Sequence, residues 1–176
     1  MKSVGIIGYG SFGAFLVRKL SDRLSVKVHD PYADVPKSLG CSLAEVSACD
    51  YLVLAIPVSA YTDTLGKING LVSPDTVIVD ISSVKSVPVS LLSKYLPKQK
   101  KVIMHPLFGP QSAEESFDGH VVVMCPGVSD DESYAVVKDF VESLDLKVVE
   151  KTPEEHDKEM ALAQGLTFFL ARALLR

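Results

Sequence analysis

Short runs of apolar residues alternate with segments of helical periodicity over the first 150 residues of the chain. Some runs, such as Val77–Val79 and Val121–Val123, are apolar at consecutive positions. This pattern is typical of strands that are covered on both faces in a parallel sheet. The pattern predicts seven strands, at Val4–Gly8, Ser25–His29, Tyr51–Ile56, Thr76–Ile81, Lys101–His105, His120–Cys125 and Leu146–Val149.

Five candidate helices lie between these strands, at Ser11–Ser21, Ser42–Ala48, Val58–Ile68, Val84–Tyr95 and Asp130–Ser143. Alternation of strands and helices over this length predicts an α/β fold, a doubly wound and mostly parallel Rossmann sheet. In the usual strand order of such a sheet, 3-2-1-4-5-6, the first, fourth and fifth strands are neighbours.

The last part of the chain has a different pattern. Thr152–Glu155 forms a capping box with Pro at the first helical position, and it opens a helix that we expect to reach Arg176. This helix is apolar on nearly all sides, through Leu162, Leu166, Phe168, Phe169, Leu170, Ala173, Leu174 and Leu175. Because such a surface should not face water, we predict a homodimer built on Leu162–Leu175.

Composition excludes several classes of partner. With 18 Lys and Arg residues and a net charge of −4, the chain lacks the basic stripe that nucleic acids require. No apolar run approaches the length of a membrane span, and no signal peptide is evident. Cys41, Cys49 and Cys125 have no metal-type spacing, so we expect no metal site and a reducing, cytoplasmic location.

A glycine-rich sequence, Gly8-Tyr9-Gly10-Ser11-Phe12-Gly13, follows the first strand and opens the first helix. Such glycines allow a tight turn, close approach of a pyrophosphate and close helix–strand contact, while free N–H groups hold the phosphates. Asp30 ends the second strand about 20 residues later, where a carboxylate can bind both ribose hydroxyls. It would repel a 2′-phosphate, so we predict NAD rather than NADP. The predicted cofactor contacts are Gly8, Gly10, Ser11, Phe12, Gly13, Asp30 and Pro57.

Polar residues follow the fourth and fifth strands. Ser82 and Ser83 come after the fourth strand, and His105 ends the fifth, just before Pro106. Because parallel strands end at one edge of the sheet, we expect Ser83 and His105 to lie side by side. An imidazole there could act as a general base, or it could simply bond a backbone group, and position alone leaves both open. For His29, His120 and His156 we favour structural roles.

Four motifs together resemble the prephenate and arogenate dehydrogenases of tyrosine biosynthesis. They are the glycine sequence above, Asp80-Ile-Ser-Ser-Val-Lys85, His105-Pro-Leu-Phe-Gly-Pro110 and the segment from Glu155 to Thr167. The resemblance implies an NAD-dependent oxidation in which hydride leaves the ring carbon that bears the hydroxyl, CO2 departs and the ring becomes aromatic.

The resemblance also implies residue roles. His105 would accept the hydroxyl proton, Ser83 would hydrogen-bond the same hydroxyl and the histidine, and Ser82 and Gln164 would contact the substrate. Residues 1–151 would form the dinucleotide-binding domain, and 152–176 the first helix of a truncated helical dimerisation domain. Lys85 is a candidate local cation, but we interpret it as a solvated surface charge.

Two other functions remain open at this point. A β-hydroxyacid dehydrogenase or an imine reductase would carry a similar glycine loop, with a lysine or no base where His105 stands. A fragment that binds NAD without catalysis is the third hypothesis. A screen of substrates with NAD separates the three.

Overall fold

The computed structural model describes residues 1–174, with the backbone alone described at 164, 166, 168, 170 and 171. Its strands are β1 (Ser3–Ile7), β2 (Ser25–His29), β3 (Tyr51–Leu54), β4 (Val77–Asp80), β5 (Lys101–Pro106), β6 (Val121–Met124) and β7 (Lys147–Glu150). Its α-helices are α1 (Ser11–Leu20), α2 (Leu43–Ser47), α3 (Tyr61–Ile68), α4 (Ser86–Tyr95), α5 (Asp131–Glu142), α6 (Pro153–Met160) and α7 (Leu166–Leu174). The seven predicted strands and the five helices predicted between them are therefore present, with ends that shift by a few residues.

The strands form one sheet in the order β2-β1-β3-β4-β5-β6-β7, and only the β5–β6 pair is antiparallel. The predicted mostly parallel, doubly wound sheet is confirmed. The expected order was wrong, because β1 is not next to β4: β3 lies between them. The chain places only β2 on the outer side of β1 before α2 crosses back, so the third strand takes the place next to β1.

Helices cover both faces of the sheet. One core cluster includes Val17 of α1 and Val137 of α5 packed on Val4, Val79 and Val102. The other cluster joins α2, α3 and α4 to the opposite face, through residues such as Val46, Leu65 and Leu92. The helices move from one face of the sheet to the other where strand addition changes direction, because crossovers between parallel strands are right-handed.

The C-terminal segment begins with the predicted capping box, in which the Thr152 hydroxyl accepts from the N–H of Glu155. The segment is not one unbroken α-helix as predicted: a π-helical turn at Ala161–Gly165 separates α6 from α7. Leu162, Phe169 and Leu174 are 67%, 71% and 85% exposed. Leu175 and Arg176 lie outside the described residues. No helix within residues 1–174 is long and apolar enough to cross a membrane.

Candidate functional site

The order in which strands are added across the sheet changes direction between β1 and β3, which are parallel neighbours. From β1 the chain turns outward to β2, and then α2 carries it back to β3 on the other side. The N–H of Ala55, just after β3, donates to Ile7 at the end of β1 over 2.9 Å. In open α/β sheets ligands bind in the crevice outside such a switch point, so the glycine loop and the segment after β3 line the candidate site.

Two glycines of this loop are required by the packing of the chain itself. Gly8 has φ +105°, and a Cβ there would lie 2.4 Å from the Ala55 carbonyl oxygen. A Cβ at Gly13 would lie 2.1 Å from the oxygen of Gly8. Gly10 differs, because a Cβ there would meet nothing within 4 Å. The protein does not need glycine at position 10 for its own packing, and the open space suits a ligand that approaches the backbone.

The N-terminus of α1 has no side-chain cap, and its first turn carries no acidic residue. Ser11 is exposed there. The side chain of Phe12 packs between other rings, with its centroid 5.6 Å from Phe15 and 6.2 Å from Phe108, so only its backbone could contact a cofactor. Pro57 is exposed, two residues after Ala55. N–H groups at a helix start attract phosphate, so this arrangement can hold a pyrophosphate.

Asp30 lies at the end of β2, next to the glycine loop. One carboxylate oxygen accepts from the N–H of Tyr9 over 2.7 Å, and the other accepts from Tyr32 and Ala33 over 2.8 and 3.2 Å. Burial raises the pKa of Asp30, but these backbone bonds outweigh burial and the net pKa lies below its ordinary value. The ionised carboxylate keeps unused lone pairs, so it can accept further hydrogen bonds from hydroxyl groups.

A depression of about 450 Å³ lies beside Asp30, lined also by His29, Ala33, Val35 and Gly40. Sequence reasoning missed this segment between β2 and α2. Its nearest signal was the run of turn-forming residues after Asp30, which interrupts the strand–helix alternation. The depression lies between the end of β2 and the segment that follows it.

A network of buried hydrogen bonds lies at the carboxyl end of β4. The Lys85 ammonium contacts the Asp80 carboxylate, the Ser82 hydroxyl at 3.3 Å and the Met104 carbonyl at 2.7 Å. The hydroxyl of Tyr61 donates to the other Asp80 oxygen over 2.6 Å. Our interpretation of Lys85 as a solvated surface charge was wrong, because Lys85 is 0% exposed. Three acceptors satisfy its three N–H donors, and burial lowers the pKa of the ammonium while Asp80 opposes that shift.

The two serines after β4 differ in their surroundings. Ser82 is 9% exposed, and its hydroxyl donates to the Val84 carbonyl over 2.7 Å. Ser83 is exposed. β4 and β5 are neighbours, and within the described residues no hydrogen bond joins Ser83 to His105.

His105 is 7% exposed near the end of β5. Side chains alternate along a strand, so His105 shares the face of Ile103, the side that α3 and α4 cover. Its Nδ1 lies 2.8 Å from Nε2 of His156, and its Nε2 has no partner among the described residues. Burial, then Lys85 and His156, lower the pKa of His105 to about 4. At neutral pH the imidazole is therefore uncharged and can accept a proton.

His156, to which we assigned a structural role, contacts His105, and sequence reasoning did not anticipate this contact. It is fully buried in the first turn of α6, and its Nδ1 lies 2.9 Å from the Asp157 carboxylate. The signal was its place in the Glu-His-Asp motif, just after a capping box that fixes where the helix begins. His29 and His120 bond backbone carbonyls, as predicted, at Cys41 and Ser112.

Gln164 lies in the π-helical turn by its backbone, and its side chain is outside what the structure describes. In the described part of the chain no group of His, Cys, Asp and Glu residues could hold a metal ion. The three cysteines are free thiols.

An apolar cavity of about 240 Å³ lies between α1 and α5, outside this site, and is lined by residues such as Phe15, Met104, Phe108 and Val137. Met104 and His105 point to opposite faces of the sheet, so the cavity is separated from the imidazole by the strands.

Residues 34–150 match the family described as prephenate dehydrogenase, nucleotide-binding domain. Arogenate dehydrogenase 2, a chloroplastic protein of Arabidopsis thaliana, is 28% identical over 97% of this chain and 52% of its own length. The NADP(+) prephenate dehydrogenase of Saccharomyces cerevisiae is 26% identical over 94% of this chain and 39% of its own. The chain thus spans about half, or less, of these curated relatives.

A crystal structure of prephenate dehydrogenase from A. aeolicus, in complex with hydroxyphenyl propionate and NAD+, has a similar fold. It superposes with a TM-score of 0.81 at 25% identity, over 99% of this chain and 68% of that one.

Proposed function

Because this chain belongs to the family of prephenate dehydrogenase nucleotide-binding domains, we propose that it binds NAD and supplies the general base for oxidation of prephenate or arogenate. The observation that carries the proposal is the position of His105, at the carboxyl end of a strand, with Nδ1 engaged and Nε2 without a partner among the described residues. The match to this family favours it over a β-hydroxyacid dehydrogenase or an imine reductase.

Residues at the switch point fit the cofactor. Gly8 and Gly13 shape the loop, and Gly10 leaves open space beside the uncapped start of α1. The N–H groups of Ser11 and Phe12 would hold the pyrophosphate, with Pro57 beside them. The ionised Asp30 would bind the ribose hydroxyls, and the depression next to it would receive the adenosine.

The chemistry of the site follows from its own side chains. When bound, NAD supplies the hydride acceptor. His105 would accept the hydroxyl proton of the substrate at Nε2, and Ser83 would donate or accept a hydrogen bond at that same hydroxyl. Ser82 and Gln164 are proposed substrate contacts. Removal of the proton gives alkoxide character to the oxygen on the carbon that loses hydride. Aromatisation of the ring then drives loss of CO2.

Several finer assignments belong to the same proposal. We favour NAD over NADP, since a 2′-phosphate would lie against the Asp30 carboxylate. We propose residues 1–151 as the nucleotide-binding domain and 152–176 as the start of a helical dimerisation domain, with the exposed side of α7 in the dimer contact. A cytoplasmic location fits three free thiols. Prephenate and arogenate remain alternatives.

Substrate-dependent formation of NADH tests the proposal, with prephenate and arogenate assayed in parallel. Replacement His105→Asn should lower kcat by about 10²- to 10⁴-fold, the contribution of a positioned general base. His120→Asn is the matched control, because the His120 ring bonds the Ser112 carbonyl and makes no hydrogen bond to His105 within the described residues. Equal turnover by His105→Asn and the unchanged protein would refute the base role. NAD binding without turnover on either substrate would favour the non-catalytic alternative.

A further inference from the structure

Three side chains form a continuous line of hydrogen bonds behind the proposed base. Asp157 Oδ1 lies 2.9 Å from His156 Nδ1, and His156 Nε2 lies 2.8 Å from His105 Nδ1. His156 is fully buried and His105 is 7% exposed, so water does not replace these contacts. The two rings are nearly perpendicular, with their centroids 5.1 Å apart and an angle of 73°.

The carboxylate at the end of this line is held in place by the backbone. Asp157 accepts from the N–H groups of Lys85 and Ser86 at the start of α4, over 2.7 and 2.9 Å. Burial raises the pKa of Asp157, but the bonds from Ser86, His156 and Lys85 outweigh it and bring the pKa to about 2. At neutral pH Asp157 is ionised and can only accept hydrogen bonds.

The proton positions follow from this acceptor. His156 must donate through Nδ1 to Asp157, and with a neutral ring its Nε2 must then accept. His105 therefore carries its proton on Nδ1, which leaves a lone pair on Nε2. The other charged groups that act on His105 are Lys85 and Asp80, both from the β4–α4 segment.

We propose that Asp157 and His156 are positioning residues, which hold His105 in the tautomer whose Nε2 is free to accept the substrate proton. This inference rests on the proposed function for its chemical consequence. The hydrogen bond between His156 and His105 also connects α6 to β5, so the first turn of the C-terminal segment positions the base. Asp157 and His156 correspond to the Asp-His pair that orients a reacting group in other enzymes, and His105 takes the position of that reacting group.

Nitrogen-15 NMR of the histidine rings tests the tautomer directly, on the chain without cofactor or substrate. We expect the unchanged protein at pH 7 to show His105 protonated at Nδ1 and bare at Nε2, with His156 also protonated at Nδ1. A His105 signal protonated at Nε2 would overturn the proposal, whatever the variants do.

The same NMR measurement on Asp157→Asn tests whether Asp157 sets the tautomer, because an amide can donate a hydrogen bond to His156 as well as accept one. We expect a new signal from His105 protonated at Nε2, which Glu154→Gln, a charge-matched control on the same helix, does not produce. An unchanged single tautomer in Asp157→Asn would show that Asp157 does not set it.

Turnover links the tautomer to chemistry. If the proposed function holds, Asp157→Asn lowers kcat at least about tenfold while KM for substrate changes less than twofold. The reason is that the substitution changes the tautomer of His105 and not the binding of the substrate. A kcat equal to that of Glu154→Gln would contradict the positioning role. Correct tautomers in a protein with no turnover would instead reject the proposed function and leave the hydrogen-bond line intact.

Discussion

Lys85 and Asp80 form an ion pair that is wholly enclosed, each side chain being 0% exposed, where β4 ends. The same ammonium bonds the carbonyl of Met104, the residue before His105. The pair therefore joins the ends of two neighbouring strands directly beneath the proposed base. Breaking such a pair leaves one charge buried and unpaired, which costs far more than losing a surface pair.

Lys85→Met should lower the free energy of unfolding by about 3–5 kcal/mol, because Asp80 would remain buried without its cation. Urea unfolding measures the change. Lys67→Met is the matched control, since the Lys67–Asp63 pair is 59% and 70% exposed and solvent screening should leave it with little effect on stability. Adding Asp80→Asn to Lys85→Met should recover part of the loss. A loss no larger than that of the control would contradict the role given to this pair.

Gly13→Ala and Gly10→Ala should separate folding from cofactor binding. The first places a Cβ 2.1 Å from the Gly8 oxygen, so it should destabilise the fold by about 1–3 kcal/mol. The second meets no protein atom within 4 Å, so it should leave stability nearly unchanged and weaken NAD binding. Thermal unfolding and calorimetric titration measure the two effects. Unchanged NAD affinity in Gly10→Ala would show that the pyrophosphate does not lie over this glycine.

Asp30→Asn should weaken NAD binding and reduce discrimination against NADP, because it removes the charge that opposes a 2′-phosphate. The amide oxygen can still accept from Tyr9, but the amide NH2 replaces the oxygen that accepts from Tyr32 and Ala33, so the segment after β2 should loosen as well. Dissociation constants for both cofactors give the ratio, with Asp34→Asn as a control beside the same depression. An unchanged ratio would remove Asp30 from cofactor selection.

Stability should depend on pH through His105. Its pKa falls to about 4 in the folded protein from 6.5, so the folded state favours the neutral ring. That contribution is complete above about pH 6.5 and is lost as the pH falls toward 4. Between pH 7 and 4.5 the unchanged protein should lose about 2 kcal/mol more unfolding free energy than His105→Asn. Urea titrations at both pH values check this.

The exposed apolar side chains of the C-terminal segment predict self-association. Leu162 and Phe169 are 67% and 71% exposed, and polar replacements there should weaken a dimer without disturbing the core. Sedimentation should show dimers for the unchanged chain and monomers for the double variant Leu162→Ser, Phe169→Ser. Val136→Ser, at an apolar α5 residue that is 50% exposed, is the control. A monomeric unchanged chain at high concentration would contradict the prediction.

Local patterns were sufficient to predict the elements, because a strand or a capping box is encoded within a few residues. The box at Thr152–Glu155 and the strands around Val79 and Val123 are examples. Strand order was not predictable in this way. It depends on where the chain reverses direction, and the position of β3 next to β1 is set by how α2 packs, which no run of residues records.

The site was predictable only in part for the same reason. Gly8, Asp30 and His105 each lie at the carboxyl end of a strand, so their common edge could be inferred from the sequence. The contact between His105 and His156 joins residues 51 positions apart, and it depends on how α6 packs against the start of α4. Burial of Lys85 was likewise invisible, since a lysine near a helix start is usually solvated.

The most direct test of the central claim is a crystal structure of this protein with NAD and a hydroxylated substrate analogue. We predict that the pyrophosphate lies over Gly10 and that the analogue hydroxyl lies within hydrogen-bond distance of His105 Nε2, next to the nicotinamide. An analogue bound away from His105, or an imidazole turned from the nicotinamide, would contradict the account.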